Sequence, residues 1–319
     1  MEPTILVTGG LGQIGSALVP ALRQRYGEDA VVASDLRVPG RSASAQGPFE
    51  HLDCTNPRAV DDVIRRHDVR AIYHLAALLS ATAEERPQTA WTVNMDSLYV
   101  MLEASRRNGC ALFFPSSIGA FGPTTPRDDT PQDTVQRPTT IYGVTKVAGE
   151  LLCDYYALRF GVDARGLRLP GLISYDAPPG GGTTDYAVEI FYHALRYGRY
   201  TCPLRADTRL DMMYMPDAIR AMIEVMQADA AGLSHRNAFN LAAVNVTPEE
   251  LAAAIRAHMP DFTIDYEIDP ELQEIADSWP RSVDDGAARA EWGWAPEYDL
   301  AAMTADMLDK LGARLNRAR

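Results

Sequence analysis

The first fifteen residues place a glycine-rich loop between a strand and a helix, and this feature restricts the fold more than any other. Thr4–Thr8 is a short apolar and β-branched run, which predicts a buried parallel strand. Gly9, Gly12 and Gly15 follow at once, and apolar residues then recur at helical spacing. In this context the glycines permit a tight turn and let a pyrophosphate approach the free N–H groups of the helix N-terminus. The sequence therefore predicts an α/β fold with a Rossmann-type doubly wound parallel sheet that binds a dinucleotide.

An acidic residue ends the second predicted strand. Asp35 stands twenty residues past Gly15, where a carboxylate accepts hydrogen bonds from both adenosine ribose hydroxyls and repels a 2′-phosphate. This position favours NAD over NADP. Arg37 lies two residues further and is a feature against that preference, which the carboxylate outweighs. Asp53 follows the third predicted strand, where it either reaches the adenine amino group or is an ordinary loop acid.

Small and polar residues follow the strand predicted at 69–75. Ala76 and Ala77 let the backbone pass beneath a cofactor, and Ser80 comes just after the carboxyl end of the strand, where open parallel sheets bind ligands. His74, inside the strand, is expected to be a hydrogen-bonded core histidine. Asn94 interrupts the apolar side of a helix predicted at 87–108 and is expected to face the cofactor.

Tyr142 and Lys146 are spaced for chemistry on one helix face. A helix is predicted from Tyr142 to about Phe160, closed by Gly161, and residues four apart lie on the same side of it. A nearby cation favours the phenolate and lowers the pKa of a tyrosine, which makes a base able to deprotonate an alcohol. Ser117 ends the fourth predicted strand, and its hydroxyl is placed to hold the substrate oxygen for proton and hydride transfer.

Composition narrows the class of protein. The 319 residues carry a formal net charge of −13, which argues against binding to nucleic acid or an anionic membrane. The sequence has no run of 18 apolar residues, and its first residues lead into a strand and not into a signal peptide. The four cysteines and six histidines are scattered without the spacing of metal ligands. We therefore expect a soluble, cytoplasmic protein without a bound metal.

The combination of these motifs resembles the extended short-chain dehydrogenase/reductases, the group that includes the sugar-nucleotide epimerases. The resemblance implies that Tyr142 is the catalytic acid/base, that Lys146 also binds the nicotinamide ribose, and that Ser117 orients the reacting hydroxyl. The residues predicted to bind NAD are Gly9, Gly12, Gln13, Ile14, Gly15, Asp35, Leu36, Arg37, Asp53, Cys54, Leu75, Ala76, Ala77, Asn94, Tyr142, Lys146 and Pro170.

The second half of the chain resembles the short-chain L-threonine 3-dehydrogenases within that group. Four segments carry the resemblance: 121–126, 178–190, 212–217 and 277–281, while Asp211 stands where a proline is expected. Two hydroxyls and an acid follow the glycine-rich loop at a helix start, a pattern that serves either to cap the helix or to contact a small polar ligand, and composition alone favours the cap. The resemblance implies NAD-dependent oxidation of L-threonine to 2-amino-3-oxobutyrate. It also implies a homodimer formed by the helices at 87–108 and 142–160, and a downstream 2-amino-3-ketobutyrate CoA ligase.

The residues predicted to bind substrate are Ser80, Ser117, Tyr142, Thr183, Thr184 and Trp279. Arg281 is a weaker candidate for the substrate carboxylate, with a surface ion pair as its alternative, and Trp279 is alternatively part of a lobe core. We predict an NAD-binding domain at 1–173, to which 211–245 returns, and a smaller discontinuous substrate lobe at 174–210 and 246–319. The alternative functions are a sugar-nucleotide 4-epimerase or dehydratase, and a non-catalytic NAD sensor, which the intact Tyr142–Lys146 pair disfavours.

Overall fold

The structure is a computed structural model that describes residues 4–38, 47–176 and 180–317. Pro178 and Pro179 of the glycine-rich segment, and the first three residues of the chain, lie outside the described residues. The β-strands are β1 (Thr4–Thr8), β2 (Val31–Asp35), β3 (Phe49–His51), β4 (Val69–His74), β5 (Ala111–Ser117), β6 (Ala164–Leu169), β7 (Gly171–Ile173), β8 (Arg199–Cys202), β9 (Leu210–Tyr214), β10 (Phe239–Asn240), β11 (Val244–Val246) and β12 (Thr263–Tyr266). The α-helices are α1 (Gly15–Tyr26), α2 (Pro57–Arg66), α3 (Ser80–Glu85), α4 (Pro87–Trp91), α5 (Ser97–Asn108), α6 (Ile141–Phe160), α7 (Tyr186–Tyr197), α8 (Met215–Gln227), α9 (Pro248–Arg256), α10 (Pro270–Asp277), α11 (Gly286–Trp292) and α12 (Leu300–Arg317).

A seven-stranded parallel sheet organises the molecule, in the order β10-β6-β5-β4-β1-β2-β3. The strand order reverses direction at β1, which pairs with β2 on one side and with β4 on the other. In open parallel sheets, ligands bind at the carboxyl ends of the strands beside such a switch point. The predicted Rossmann-type α/β fold is confirmed.

Helices cover both faces of this sheet, as parallel sheets require. Successive side chains of a strand point to opposite faces, so Ile5 and Val7 pack in one apolar cluster with α1 and α8, while Leu6 packs in another with α2, α5 and α6. A third cluster joins α7, α9 and α12. The strands outside the main sheet form a three-stranded sheet, β11-β9-β7, and a two-stranded sheet, β12-β8. The division into the two lobes given above stays a prediction.

Local sequence signals account for several helix ends. Asn56 accepts hydrogen bonds from the N–H groups of Arg58 and Ala59 and caps α2, and Thr247 forms a capping box with Glu250 at the start of α9.

The helical segment predicted at 87–108 forms, but with a change of winding inside it. Residues Thr92–Asp96 make a π-helical turn between α4 and α5. Asn94, the residue expected to interrupt the apolar side, lies in that turn. Such turns insert one extra residue and occur frequently at functional sites.

Helix α6 carries the Tyr142–Lys146 motif and begins and ends as predicted. The Thr140 hydroxyl accepts from the N–H of Gly143 at 3.0 Å and caps the first turn. Gly161 ends the helix with φ of 68°, in the left-handed region that favours glycine. No helix within the described residues is long and apolar enough to cross a membrane.

Candidate active site

A cleft opens where the carboxyl ends of β1, β4, β5 and β6 meet the start of α7. It encloses about 770 Å³ of empty space, which includes the part open to solvent. The three predicted catalytic residues line it together: Ser117 at the end of β5, and Tyr142 and Lys146 from the first two turns of α6. All three come from rigid elements, so the sheet and the helix determine their mutual geometry.

The Lys146 ammonium is almost fully enclosed. Its Nζ donates a hydrogen bond to the Pro115 carbonyl at 2.6 Å and lies 5.0 Å from the centre of the Phe114 ring and 5.3 Å from that of Tyr142. Burial lowers the pKa of Lys146 to about 8, while the negative charge of Glu150 acts in the opposite direction. The side chain is therefore mostly protonated at neutral pH and loses its proton as the pH rises through about 8.

Tyr142 is a protonated phenol in this structure. Burial raises the pKa of Tyr142 to about 12, and a hydrogen bond with Ser117 lowers it in part. The expected lowering by Lys146 is not found here, because the ammonium donates to a backbone carbonyl and lies above the tyrosine ring.

The glycine loop fits a dinucleotide. A Cβ on Gly15 would lie 2.3 Å from the Gly9 carbonyl oxygen, and one on Gly9 would lie 2.9 Å from the Ala76 nitrogen, so side chains at either position would break the loop. The N–H of Gly12 donates to the Gly9 carbonyl at 2.9 Å and closes the turn. Gln13 and Ile14 line the cleft, and the buried Gln13 Nε2 has no partner among the described residues, which leaves a donor for a ligand.

Asp35 is placed at the end of β2, but another side chain contacts it. Its carboxylate accepts from the Leu11 N–H at 3.1 Å and from the Arg37 backbone and guanidinium at 3.0–3.1 Å. Burial alone would raise the pKa of Asp35, and the hydrogen bonds from Arg37 and Leu11 outweigh it and lower the pKa. A ribose therefore has to share this carboxylate with Arg37 or displace the guanidinium.

The remaining candidates around the adenine end are exposed or buried without a ligand-facing group. Asp53 is exposed and accepts from the Thr55 N–H and hydroxyl at 2.9 and 2.7 Å, as an ordinary loop acid would. Leu36 is exposed, and burial raises the pKa of the Cys54 thiol to about 12, so this cysteine stays protonated.

The segment after β4 lies beneath the centre of the cleft. Leu75 and Ala77 line the cleft on one side and Pro170 lines it on another. The Asn94 side chain is hydrogen-bonded within the protein. It accepts from the Leu78 N–H at 2.8 Å and donates to the Leu78 carbonyl and the Thr145 hydroxyl. It thus fixes the loop after Ala77 against α6.

His74 has the core role expected of it. Its two ring nitrogens lie 2.9 Å from the hydroxyls of Thr8, on the neighbouring strand β1, and of Ser97, at the start of α5. Burial lowers the pKa of His74 to about 3, and the charge of Lys146 lowers it further. The ring is therefore neutral and joins two elements of the core.

Ser80 and Thr183 contact each other across the rim of the cleft. The Ser80 hydroxyl accepts from the Thr183 N–H at 3.1 Å, and the two hydroxyls lie 3.1 Å apart. Ser80 also lines the cleft, whereas Thr183 is buried and absent from its lining. The pair joins the start of α3 to the loop before α7.

The start of α7 presents a hydroxyl and a carboxylate to the cleft. Thr184, Asp185 and Trp279 all line it. Asp185 does not cap α7: its carboxylate accepts from the N–H groups of Gly181 and Gly182, at 2.8 and 2.9 Å. Burial raises the pKa of Asp185, and these two hydrogen bonds lower it in part.

Arg281 lies away from the cleft. Its guanidinium is exposed and forms an ion pair with Asp128, which corresponds to the surface alternative given above. Among the residues that the structure describes, the cleft lining therefore holds one cation, Lys146, and one anion, Asp185.

Asp185 lines the cleft but is absent from the residues predicted to bind substrate. A carboxylate beside two threonines at a helix start has the pattern of an N-cap, and this pattern conceals its turn back towards the glycines. Gly119 is a second residue near the catalytic group that the sequence did not indicate. A Cβ there would lie 3.1 Å from the Tyr142 ring, so the glycine leaves room for the ring, and this contact joins two separate segments.

Comparison with known proteins agrees with this geometry. Residues 5–242 match the NAD dependent epimerase/dehydratase family. The chain is 53% identical to an uncharacterized epimerase/dehydratase of Staphylococcus saprophyticus over 308 residues, 96% of each chain. It is 52% identical to the L-threonine dehydrogenase of Clostridium difficile, with a TM-score of 0.96 over 98% of both chains. It is 45% identical to a monomeric L-threonine 3-dehydrogenase from a metagenome, with a TM-score of 0.94 over 98% of this chain and 99% of the other. The chain belongs to the NAD-dependent epimerase/dehydratase family of enzymes, and its cofactor is NAD.

Proposed function

We propose that the protein oxidises L-threonine at its β-hydroxyl to 2-amino-3-oxobutyrate. The observation that carries this proposal is the charge of the cleft lining, which within the described residues is limited to Lys146 beside the catalytic tyrosine and Asp185 opposite. A carboxylate and a few hydroxyls suit a small zwitterion. A sugar nucleotide would bring a second diphosphate besides that of NAD, and the described cleft lining offers no cation beyond Lys146 to pair with it.

The catalytic residues act on the substrate hydroxyl. Bound NAD supplies a hydride acceptor. Ser117 holds the β-oxygen of the substrate by a hydrogen bond. Tyr142, beside Ser117, removes the proton from the substrate hydroxyl. Lys146 stabilises the phenolate that this step needs, since it lies above the same ring and retains a proton near neutral pH.

The substrate-binding residues hold the two charged ends of the amino acid. Asp185 has a half-buried carboxylate that faces the cleft and pairs with the ammonium. The hydroxyls of Ser80 and Thr184 donate to the carboxylate, and Trp279 forms an apolar wall beside the methyl group. Thr183 contributes indirectly, because its N–H and hydroxyl orient Ser80.

The test is a direct assay. Purified protein with free NAD and L-threonine should generate NADH absorbance at mildly alkaline pH without added zinc, whereas UDP-glucose should give neither NADH nor an epimer. Interconversion of a nucleotide sugar, with no NADH from L-threonine, would instead establish the epimerase alternative. Binding of NAD with no turnover of either substrate would favour the non-catalytic sensor.

The assembly is also part of the proposal. Leu151, Tyr155 and Leu158 on α6 are 52–89% exposed, and Tyr99 on the adjoining α5 is 53% exposed. An apolar surface of this kind on two neighbouring helices supports a homodimer built from α5 and α6.

Light scattering tests this assembly. The wild type should have about twice the chain mass of 35.0 kDa, and Leu158→Lys should reduce it to one chain. Tyr197→Lys alters an apolar side chain that is 64% exposed on α7 and should leave the mass unchanged. A monomeric wild type would contradict the proposal.

The product of the proposed reaction is an unstable β-keto acid, so a CoA-dependent ligase that consumes it stays part of the prediction.

A further inference from the structure

A buried carboxylate lies one helical turn beyond Lys146. Glu150 continues the face that begins with Tyr142 and Lys146, because these residues are four apart on α6. Its side chain is 4% exposed and forms an ion pair with Arg168, with Nη2 to Oε2 at 2.8 Å. Gln136 donates to the same carboxylate at 2.8 Å, and the Ser116 hydroxyl donates to its other oxygen.

This carboxylate fixes the helix against the strand that carries the other catalytic group. Two consecutive residues at the end of β5 each contact one turn of α6. Pro115 accepts from Lys146 and Ser116 donates to Glu150. The Ser117 hydroxyl and the Tyr142 ring both lie beside Gly119, where an added Cβ would be 3.5 Å from Ser117 Oγ and 3.1 Å from Tyr142 Cε1. Glu150 itself is buried and does not line the cleft, whereas its partner Ser116 does.

The carboxylate is also the negative charge closest in sequence to the Lys146 ammonium on this face. It counteracts the burial that would otherwise neutralise the lysine. The other titratable groups that face these two side chains are Tyr142, Cys153 and Asp154 on α6, His74 on β4 and Arg168 on β6.

We propose that Glu150 is a positioning residue. Through Ser116 it holds the end of β5 in place against α6, which we call the register component, and through its charge it keeps Lys146 protonated beside Tyr142, which we call the charge component. The proposal deepens the function given above and rests on it for the activity readout. Its charge component is testable without any substrate.

The chain is well suited to that test, because Lys146 and Lys310 are its two lysines. Lysine labelled with ¹³C at Cε gives two NMR signals, and Lys310→Arg assigns them. In Glu150→Gln the titration midpoint of the Lys146 signal should fall below that of the wild type. In Glu150→Asp, which keeps the charge, it should stay close to the wild-type value.

Asp217→Asn is the matched control. Asp217 is also a buried carboxylate paired with an arginine, Arg220, but it lies on α8 and contacts the N–H groups of Glu297 and Tyr298. This variant should leave the Lys146 midpoint and kcat unchanged. An unaltered midpoint in folded Glu150→Gln would overturn the charge component, whether or not L-threonine is the substrate.

The register component has its own variant. Ser116→Ala removes the link between Glu150 and β5 without touching either charge, and should lower kcat about tenfold with little change in KM, as a displaced catalytic group does. If Glu150→Gln does not fold, because Arg168 is left unpaired, Ser116→Ala and Glu150→Asp still decide. Wild-type kcat in Ser116→Ala would refute the register component.

Discussion

Gly119→Ala offers a sharp perturbation of the catalytic pair. A Cβ at this position would lie 3.1 Å from Tyr142 Cε1, 3.2 Å from Cδ1 and 3.5 Å from Ser117 Oγ. Carbon atoms at their optimal separation are about 3.5–4.0 Å apart, so the tyrosine ring has to move by about half an ångström. A misplacement of 1 Å at a catalytic group costs about 10²-fold, and half of it should therefore lower kcat about tenfold.

The assay compares kcat, the KM for NAD and the thermal midpoint of Gly119→Ala with those of the wild type. We expect a tenfold fall in kcat with little change in the other two, because the added methyl contacts the ring and not the cofactor loop. Gly312→Ala is the matched control: its Cβ would lie 3.9 Å from Leu195, in ordinary contact inside α12. It should keep full activity and gain about 0.5–1 kcal/mol of stability. Wild-type kcat in folded Gly119→Ala would refute this account of the pair.

Three further predictions follow from the same site. Tyr142→Phe should abolish turnover and leave the Kd for NAD measured by calorimetry nearly unchanged; retained turnover would remove the phenol from the mechanism. Asp185→Asn should raise the KM for L-threonine at least tenfold, and an unchanged KM would exclude it as the ammonium partner. His74 has a pKa of about 3 in the folded chain and about 6.5 in the unfolded chain. Between these two pH values only the unfolded chain binds a proton at His74, so the free energy of unfolding should fall by about 1.4 kcal/mol for each pH unit that the pH drops. His74→Gln should show a shallower fall in urea unfolding between pH 6.5 and 5, and an identical slope would contradict this.

The features that the sequence predicted well depend on local rules. The strand–loop–helix at Thr4–Tyr26 and the end of α6 at Gly161 each follow from the preferences of a few adjacent residues. The order of the parallel strands then brings their carboxyl ends together. The proximity of Ser117, Tyr142 and Lys146 in one cleft can therefore be predicted without information about tertiary contacts.

The features that escaped prediction depend on contacts between distant segments or on the conformation that a side chain adopts. Thr183 and Thr184 are adjacent and of the same type, yet they have different surroundings. Thr183 contacts Ser80, which is 103 residues away in the sequence, whereas Thr184 lines the cleft. Asp185 faces the cleft because its carboxylate binds the glycine N–H groups before it. The pairing of Asp35 with Arg37 similarly depends on which rotamer the guanidinium adopts.

The most direct test of the central claim follows the hydrogen on Cβ of the substrate. L-threonine carrying deuterium at that carbon should yield, with wild-type protein and NAD, reduced nicotinamide with one deuterium at C4, detected by mass spectrometry. The same incubation with Tyr142→Phe should yield none. Reduced cofactor without deuterium, or none at all from folded wild-type protein with NAD bound, would contradict oxidation of L-threonine at its β-hydroxyl.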